Sequence, residues 1–212
     1  AAKIVLGKSL LDLRNPFTGC SSAFFEPALD YLTVKFPRWD LNKFEGVSRK
    51  LGSAMKSVGE VMAIGRSFEE ALQKSVRMVT ENDLGISFRY DFKNISEELK
   101  YPSDRRIFAI SEAFRRNVSL LEIHSLSRID LWFLSKLEKL IKVETELRGT
   151  DLKTLDKSKL SRWKKLDFSD IQILSLSGSK MNHQEFRKFR LELGLRPSVI
   201  KIDTTSGEFP AI

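Results

Sequence analysis

Cysteine is nearly absent from this 212-residue sequence: Cys20 stands alone. That excludes an internal disulfide and fits a chain that folds in a reducing compartment. Histidine is almost as scarce. His124 and His183 lie in no recognisable motif, which removes a Cys/His zinc site and favours packing or surface roles for both rings over a Cys–His nucleophile pair. Apolar runs are short, and none approaches the roughly 20 residues that span a bilayer, so no membrane partner is expected. Neither GxGxxG nor GxxxxGK[ST] occurs. The chain opens Ala1-Ala2-Lys3, without an initiator Met and without a signal peptide's charged-then-apolar layout. It reads as the middle of a helix, as expected of a piece excised from something longer.

What is present suits a folded chain. A domain of this length buries roughly 70% of its unfolded surface and needs no staples. Hydrophobic residues make up 42% and charged residues 30%, with a net charge of +8. The basic excess lies mostly beyond residue 100, where 21 Lys and Arg face 15 Asp and Glu. A basic face could meet nucleic-acid phosphates. Acids are interspersed throughout, however, and no five-residue basic block occurs, so a solvated helical surface and no nucleic-acid partner are expected.

The stretch Met55 to Leu72 organises the rest. Val58, Val61, Met62 and Ile64 suit a strand, because Gly59 and Gly65 interrupt helical spacing. Ser67 with Glu70 three residues on predicts a capping box, and Phe68, Leu72, Val76 and Val79 then share one helical face. Strand, Gly65 turn and capped helix form a packed unit. Gly65-Arg66-Ser67 after a strand also permits a phosphate cradle, since amides at a helix start attract anions.

Before this unit, Ala1 to Leu6 reads as a helix end stopped by Gly7, and Tyr31 to Phe36 as a strand ended by Pro37. Trp39 to Lys50 is a short helix or loop. Between Thr80 and Asp104 turn residues dominate, and the domain boundary is placed near residue 82. From Asp104 the text is helical. Asp104 is expected to cap a segment through Phe114, and Ser119 with Glu122 to box the next. Asp130 opens the longest helix, whose stripe runs through Phe133, Leu134, Leu137, Leu140, Ile141 and Leu147 to a stop at Gly149. A basic helix follows over Leu155–Leu166, then one capped by Ser169, then one boxed by Asn182 and Glu185 and ended by Gly194. These short helices predict an orthogonal bundle. The fold class expected is α+β, mostly α. The last helix pair superficially resembles a helix-turn-helix, with Arg187, Lys188 and Arg190 as contacts. A freestanding basic nucleic-acid-binding module is thus the alternative function.

Several blocks also resemble a known family. Phe25-Glu26-Pro27-Ala28-Leu29-Asp30-Tyr31, Lys35-Phe36-Pro37-Arg38-Trp39 and Met55 to Arg66 stand in the order found in the carbamoyl-phosphate synthetase large chain. Arg105-Arg106-Ile107-Phe108, Arg128 to Leu134, Asp167-Phe168-Ser169-Asp170 and Pro197 to Ala211 continue the match. Leu131 stands where that family usually has Arg or Lys, and Asp167 where it usually has Gly. The resemblance is nearest to the eukaryotic pyrimidine-pathway form.

The resemblance implies three parts: residues 1–82 as the C-terminal part of the first ATP-grasp (carboxyphosphate) domain, 83–198 as the helical oligomerisation domain, and 199–212 as the linker to the second synthetase half. It implies a parent ligase that makes carbamoyl phosphate from bicarbonate, glutamine-derived ammonia and ATP with Mg2+ or Mn2+. The partners implied are the remaining synthetase domains in cis, a glutaminase domain or subunit, and further copies of the chain. The compartment implied is the cytoplasm, with the mitochondrion the other option. The lid and metal-ligand blocks of the family lie upstream. No catalytic, cofactor or metal residue is therefore expected here, and the piece alone is expected to be inactive. Lys35, Arg38, Lys56 and Glu60 could orient the site from behind or be ordinary strand charges. Gly65, Ser67 and Glu70 are the structural turn and cap. Phe133, Leu137, Leu140 and Ile141 are the candidate interface, with burial inside the domain the equal alternative.

Overall fold

A computed structural model describes residues 1–80 and 84–204. The boundary expected near residue 82 and the linker from residue 205 onward lie outside the described residues. The chain divides into two compact units, one of residues 1–31 with the segment from Pro197, the other Leu32–Arg196.

In the first unit α1 (Ala2–Val5) ends at Gly7, whose φ of +87° is the left-handed geometry glycine adopts freely. A 3-10 turn at Leu10–Asp12 is capped by Ser9, and a bridge joins Arg14 to Ser22.

The second unit begins with an antiparallel pair, β1 (Leu32–Arg38) and β2 (Gly59–Gly65), in register from Leu32 opposite Gly65 to Arg38 opposite Gly59. Pro37 does not end β1. It sits inside the strand opposite Glu60, because in a two-stranded sheet each strand has an unpaired edge that tolerates a missing donor.

Helix α2 (Phe68–Val79) packs on both strands and also on the helices beyond. Leu72 and Val76 are buried as the apolar face predicts, but so are Gln73 and Ser75 on other sides. Each fully buried aliphatic side chain contributes about 1.5–3 kcal/mol, and α2 supplies such residues to a core shared with the bundle.

The bundle consists of α3 (Ile95–Lys100), α4 (Arg106–Arg115), α5 (Leu120–Ser127), α6 (Leu131–Leu147), α7 (Lys157–Lys165), α8 (Asp170–Ser177) and α9 (His183–Glu192). Leu134, Leu140, Leu147, Leu160, Trp163, Phe168, Ile173 and Phe186 fill its centre. The fold is mostly α with one small sheet.

Three start signals act as expected: Asp130 accepts from Trp132 N at 2.8 Å, Ser169 forms a full box with Gln172, and Asn182 one with Glu185. Asp104 does not cap α4. Its carboxylate is taken by Arg49 from the loop before β2, and Arg105 stands at the cap position. Helix α3 lies in the stretch between Thr80 and Asp104 whose turn residues predict a loop. Asn94 is its cap and accepts from Glu97 N at 3.2 Å. Six residues are under two turns, too few for a helical period to register.

Candidate functional site

The sheet brings two of the four candidate orienting residues together. Lys35 Nζ lies 2.8 Å from Glu60 Oε1 across the strands, with both side chains more than half exposed, so the pair is worth little to stability. Arg38 instead reaches Asp40 at 2.8 Å. Asp40 is also held by Lys43, and these two cations keep its carboxyl below the usual range. Lys56 stands apart and pins its own loop, donating to the carbonyls of Ser48 at 2.9 Å and Lys50 at 2.7 Å.

Gly65 and the first turn of α2 form one device. A Cβ on Gly65 would meet Ala71 N at 2.9 Å, so the glycine permits the strand end to touch the helix start. Ser67 Oγ accepts from Glu70 N at 3.2 Å. The Glu70 carboxylate turns back to Arg66 N at 2.9 Å, one residue before the cap, and receives Lys74 on its other oxygen. Burial alone would raise the Glu70 carboxyl, but the Lys74 and Arg66 contacts outweigh it and leave it lowered. A carboxylate of the chain itself thus occupies the place where the phosphate reading would seat an anion.

Among the described residues no three His, Cys, Asp or Glu side chains gather where they could hold a metal.

The candidate interface divides. Leu137, Leu140 and Ile141 are buried in the domain's own core, the burial that stood as the equal alternative to an outward role, and α6 packs against α2, α4, α5 and α8. Phe133 remains 44% exposed and its neighbour Trp132 50%. The two rings meet at 5.0 Å between centroids, and each meets Phe68 of α2 at 5.4 Å, all edge-on. Lys136 lies over the Trp132 ring at 5.1 Å. Beside this cluster Lys139 Nζ donates to Glu69 at 2.7 Å. Burial pushes Glu69 up, and Lys139 with the helix amide brings it below the usual value.

Buried polar joints that local spacing cannot reveal hold the elements in place. Arg115 of α4 meets Glu144 of α6, which Arg148 also contacts at 2.7 Å. Gln73 of α2 donates to Leu166 O at 3.0 Å and accepts from Gln172 at 3.2 Å. Arg77 reaches Asp167 and its carbonyl. Burial raises the Asp167 carboxyl despite Arg77. Apart from Arg148, four positions from Glu144, the partners lie 29 to 99 positions apart, and only their residue types (polar side chains inside apolar helical text) could have flagged them.

The helix-turn-helix reading loses a contact. Arg190 is turned inward to Asp170 at 3.2 Å and to Leu195 O at 2.9 Å.

Residues 60–194 match the family described as carbamoyl-phosphate synthetase large chain, oligomerisation domain. All 212 residues align at 47% identity with the arginine-specific carbamoyl phosphate synthase large chain of Cutaneotrichosporon cutaneum, covering 18% of that protein. The whole chain is also 46% identical to the multifunctional protein ura1 of Schizosaccharomyces pombe, covering 9% of it. It is 42% identical to the mitochondrial carbamoyl-phosphate synthase [ammonia] of Homo sapiens, covering 14%. The chain thus spans under a fifth of the length of these relatives.

Proposed function

The chain belongs to the family of the carbamoyl-phosphate synthetase large-chain oligomerisation domain, and from that premise we propose that it is an internal, non-catalytic piece of such a synthetase. It serves as the spacer between the two synthetase halves and as a self-association domain. The match of residues 60–194 carries this reading, and the coverage of under a fifth of each relative supports a parent with further domains.

On this reading residues 1–82 close the first ATP-grasp lobe, 83–198 form the helical domain and 199–212 lead to the second half. The parent would form carbamoyl phosphate from bicarbonate, glutamine-derived ammonia and ATP with Mg2+, for arginine or pyrimidine synthesis, working with a glutaminase domain or subunit. Its compartment is the cytoplasm or, as the names of several relatives state for those proteins, the mitochondrion. Among the described residues no helix is long and apolar enough to cross a membrane.

Two measurements on the isolated chain test the proposal. Light scattering should find self-association that does not weaken with salt, because an apolar contact is not screened. Calorimetry should find no saturable micromolar ATP binding. A strictly monomeric chain, or one that binds ATP at that level, would contradict it. Steeply salt-dependent DNA binding would favour the nucleic-acid module instead.

A further inference from the structure

An open groove of about 1320 Å3 lies between the first turn of α2, one face of α6 and the length of α7. Seven cationic side chains line it against two carboxylates, Glu70 and Glu146. Four of the cations already have acidic partners: Lys139 with Glu69, Lys142 with Glu138, Lys164 with Asp170 and Arg162 with Glu146. Arg66, Lys157 and Lys165 form no salt bridge among the described residues, though the charge of Arg66 also acts on Glu70, and all three are exposed.

Lys157, Ser161 and Lys165 are four residues apart in turn, so they share one face of α7, with the two lysines about 12 Å apart along the axis. An extended peptide puts every second side chain on one side, about 6.8 Å apart. Carboxylates at the first and fifth positions of such a segment therefore match the two lysines, and Ser158 and Ser161 can hydrogen-bond the stretch between.

We propose that this groove docks an acidic polypeptide segment in extended form, with Arg66, Lys157 and Lys165 as its anchoring cations. Other anions fit less well. Lysines two turns apart along α7 suit separated carboxylates better than one phosphate. A single-stranded nucleic acid needs aromatic platforms and an unbroken cationic track. None of the described lining residues is aromatic, and Glu70 and Glu146 interrupt the wall. The proposal is independent of the self-association reading, since the aromatic cluster at Trp132 and Phe133 is not part of this groove.

The test is fluorescence anisotropy with the 212-residue chain and a fluorescein-labelled peptide of five Glu-Ser repeats, at low and moderate salt. Saturable binding is expected, with a Kd raised at least about tenfold in the R66E/K157E/K165E variant. The K153E/K180E/K188E variant makes the same change of net charge elsewhere and should bind as the parent chain does. Thermal melting checks that both fold, and the milder K157A/K165A variant, expected to weaken binding severalfold, serves if the first triple variant does not. Equal weakening by both triple variants would reduce the effect to net charge and overturn the proposal. So would equal binding of a Gln-Ser peptide, displacement by micromolar inorganic phosphate, or tighter capture of a dT20 oligonucleotide by the same three residues.

Discussion

Arg115 grips Glu144 at both carboxylate oxygens, Nε to Oε1 at 2.9 Å and Nη2 to Oε2 at 2.7 Å, in the middle of the helical core. Only 6% of the Arg115 side chain and 2% of the Glu144 side chain reach solvent. The same guanidinium donates to Ile86 O at 3.1 Å, so one residue ties α4, α6 and the segment after α2.

Removing one partner leaves a buried charge uncompensated, which costs about 3–5 kcal/mol. Glu144→Ala should therefore lower the urea midpoint by that equivalent. Arg115→Met with Glu144→Leu should recover most of it, because an apolar pair needs no desolvation. A Glu144→Ala loss under about 1 kcal/mol would show that the pair does not brace the fold.

Acid should expose the same joint. Burial pushes Glu144 up, but Arg115 and Arg148 outweigh it and hold its carboxyl below the usual glutamate range. Asp170 behaves alike, with burial overcome by Lys164 and Arg190 and its carboxyl lowered. Groups lowered on folding add stability that is full above their unfolded values and lost as the pH falls through the folded ones. Unfolding free energy should thus stay level from neutrality down to about pH 5 and drop below it. The Glu144→Gln variant should show a shallower drop, read from denaturation curves across pH.

Asp167 has the opposite sign. Its carboxyl is raised by burial in spite of Arg77, so its contribution falls as the pH rises through the folded value. Its backbone also sits at φ +64°, a left-handed conformation costing an ordinary residue about 1–2 kcal/mol. Glycine would adopt that geometry without the cost. Asp167→Gly removes both penalties and one ion pair while keeping the Arg77 bond to the residue's carbonyl. It should be neutral or stabilising by about 1 kcal/mol at pH 7, and a melting point several degrees lower would refute the account.

Two glycines of β2 should answer differently to alanine. At Gly65 the new Cβ would lie 2.9 Å from backbone N of Ala71, an overpacking worth about 1–3 kcal/mol. At Gly59 nothing lies within 4 Å, so alanine there should be harmless or stabilise by about 0.5 kcal/mol. Paired chemical denaturation of the two variants decides the matter, and equal effects would sink it.

If self-association uses the free end of α6, Trp132→Ser and Phe133→Ser should dissociate the oligomer at micromolar concentration. Leu121→Ser, on another exposed apolar residue, should not. Sedimentation velocity distinguishes the three variants.

Much of this was legible in the residues. Asp130, Ser169 and Asn182 announce their helices because capping is local chemistry, read within three positions. Asn94 announced one too, but a cap followed by only six residues looks like a turn. Pro37 does not stop β1 because its missing N–H matters only where both strand edges are paired, and β1 has an open one. The stripe of α6 fixed which residues are apolar, not what covers them: Leu137, Leu140 and Ile141 went inward and only Phe133 stayed out. Arg115 with Glu144, Gln73 with Gln172 and the cations of the α7 groove were invisible for one reason. Charge on a helix reads as solvated until the tertiary fold brings a second element beside it.

Helix α2 has its sheet on one side and the bundle on the other. Shortened chains that start at β2, at α2 or after it should differ accordingly: without β2 the Ala71 side of α2 loses the strand end it touches at Gly65, and without α2 the socket around Leu166 and Gln172 is left open. Any displacement of the strand pair relative to the bundle would thus have to carry α2 with it or break the bonds of Gln73 and Arg77 to Leu166, Asp167 and Gln172.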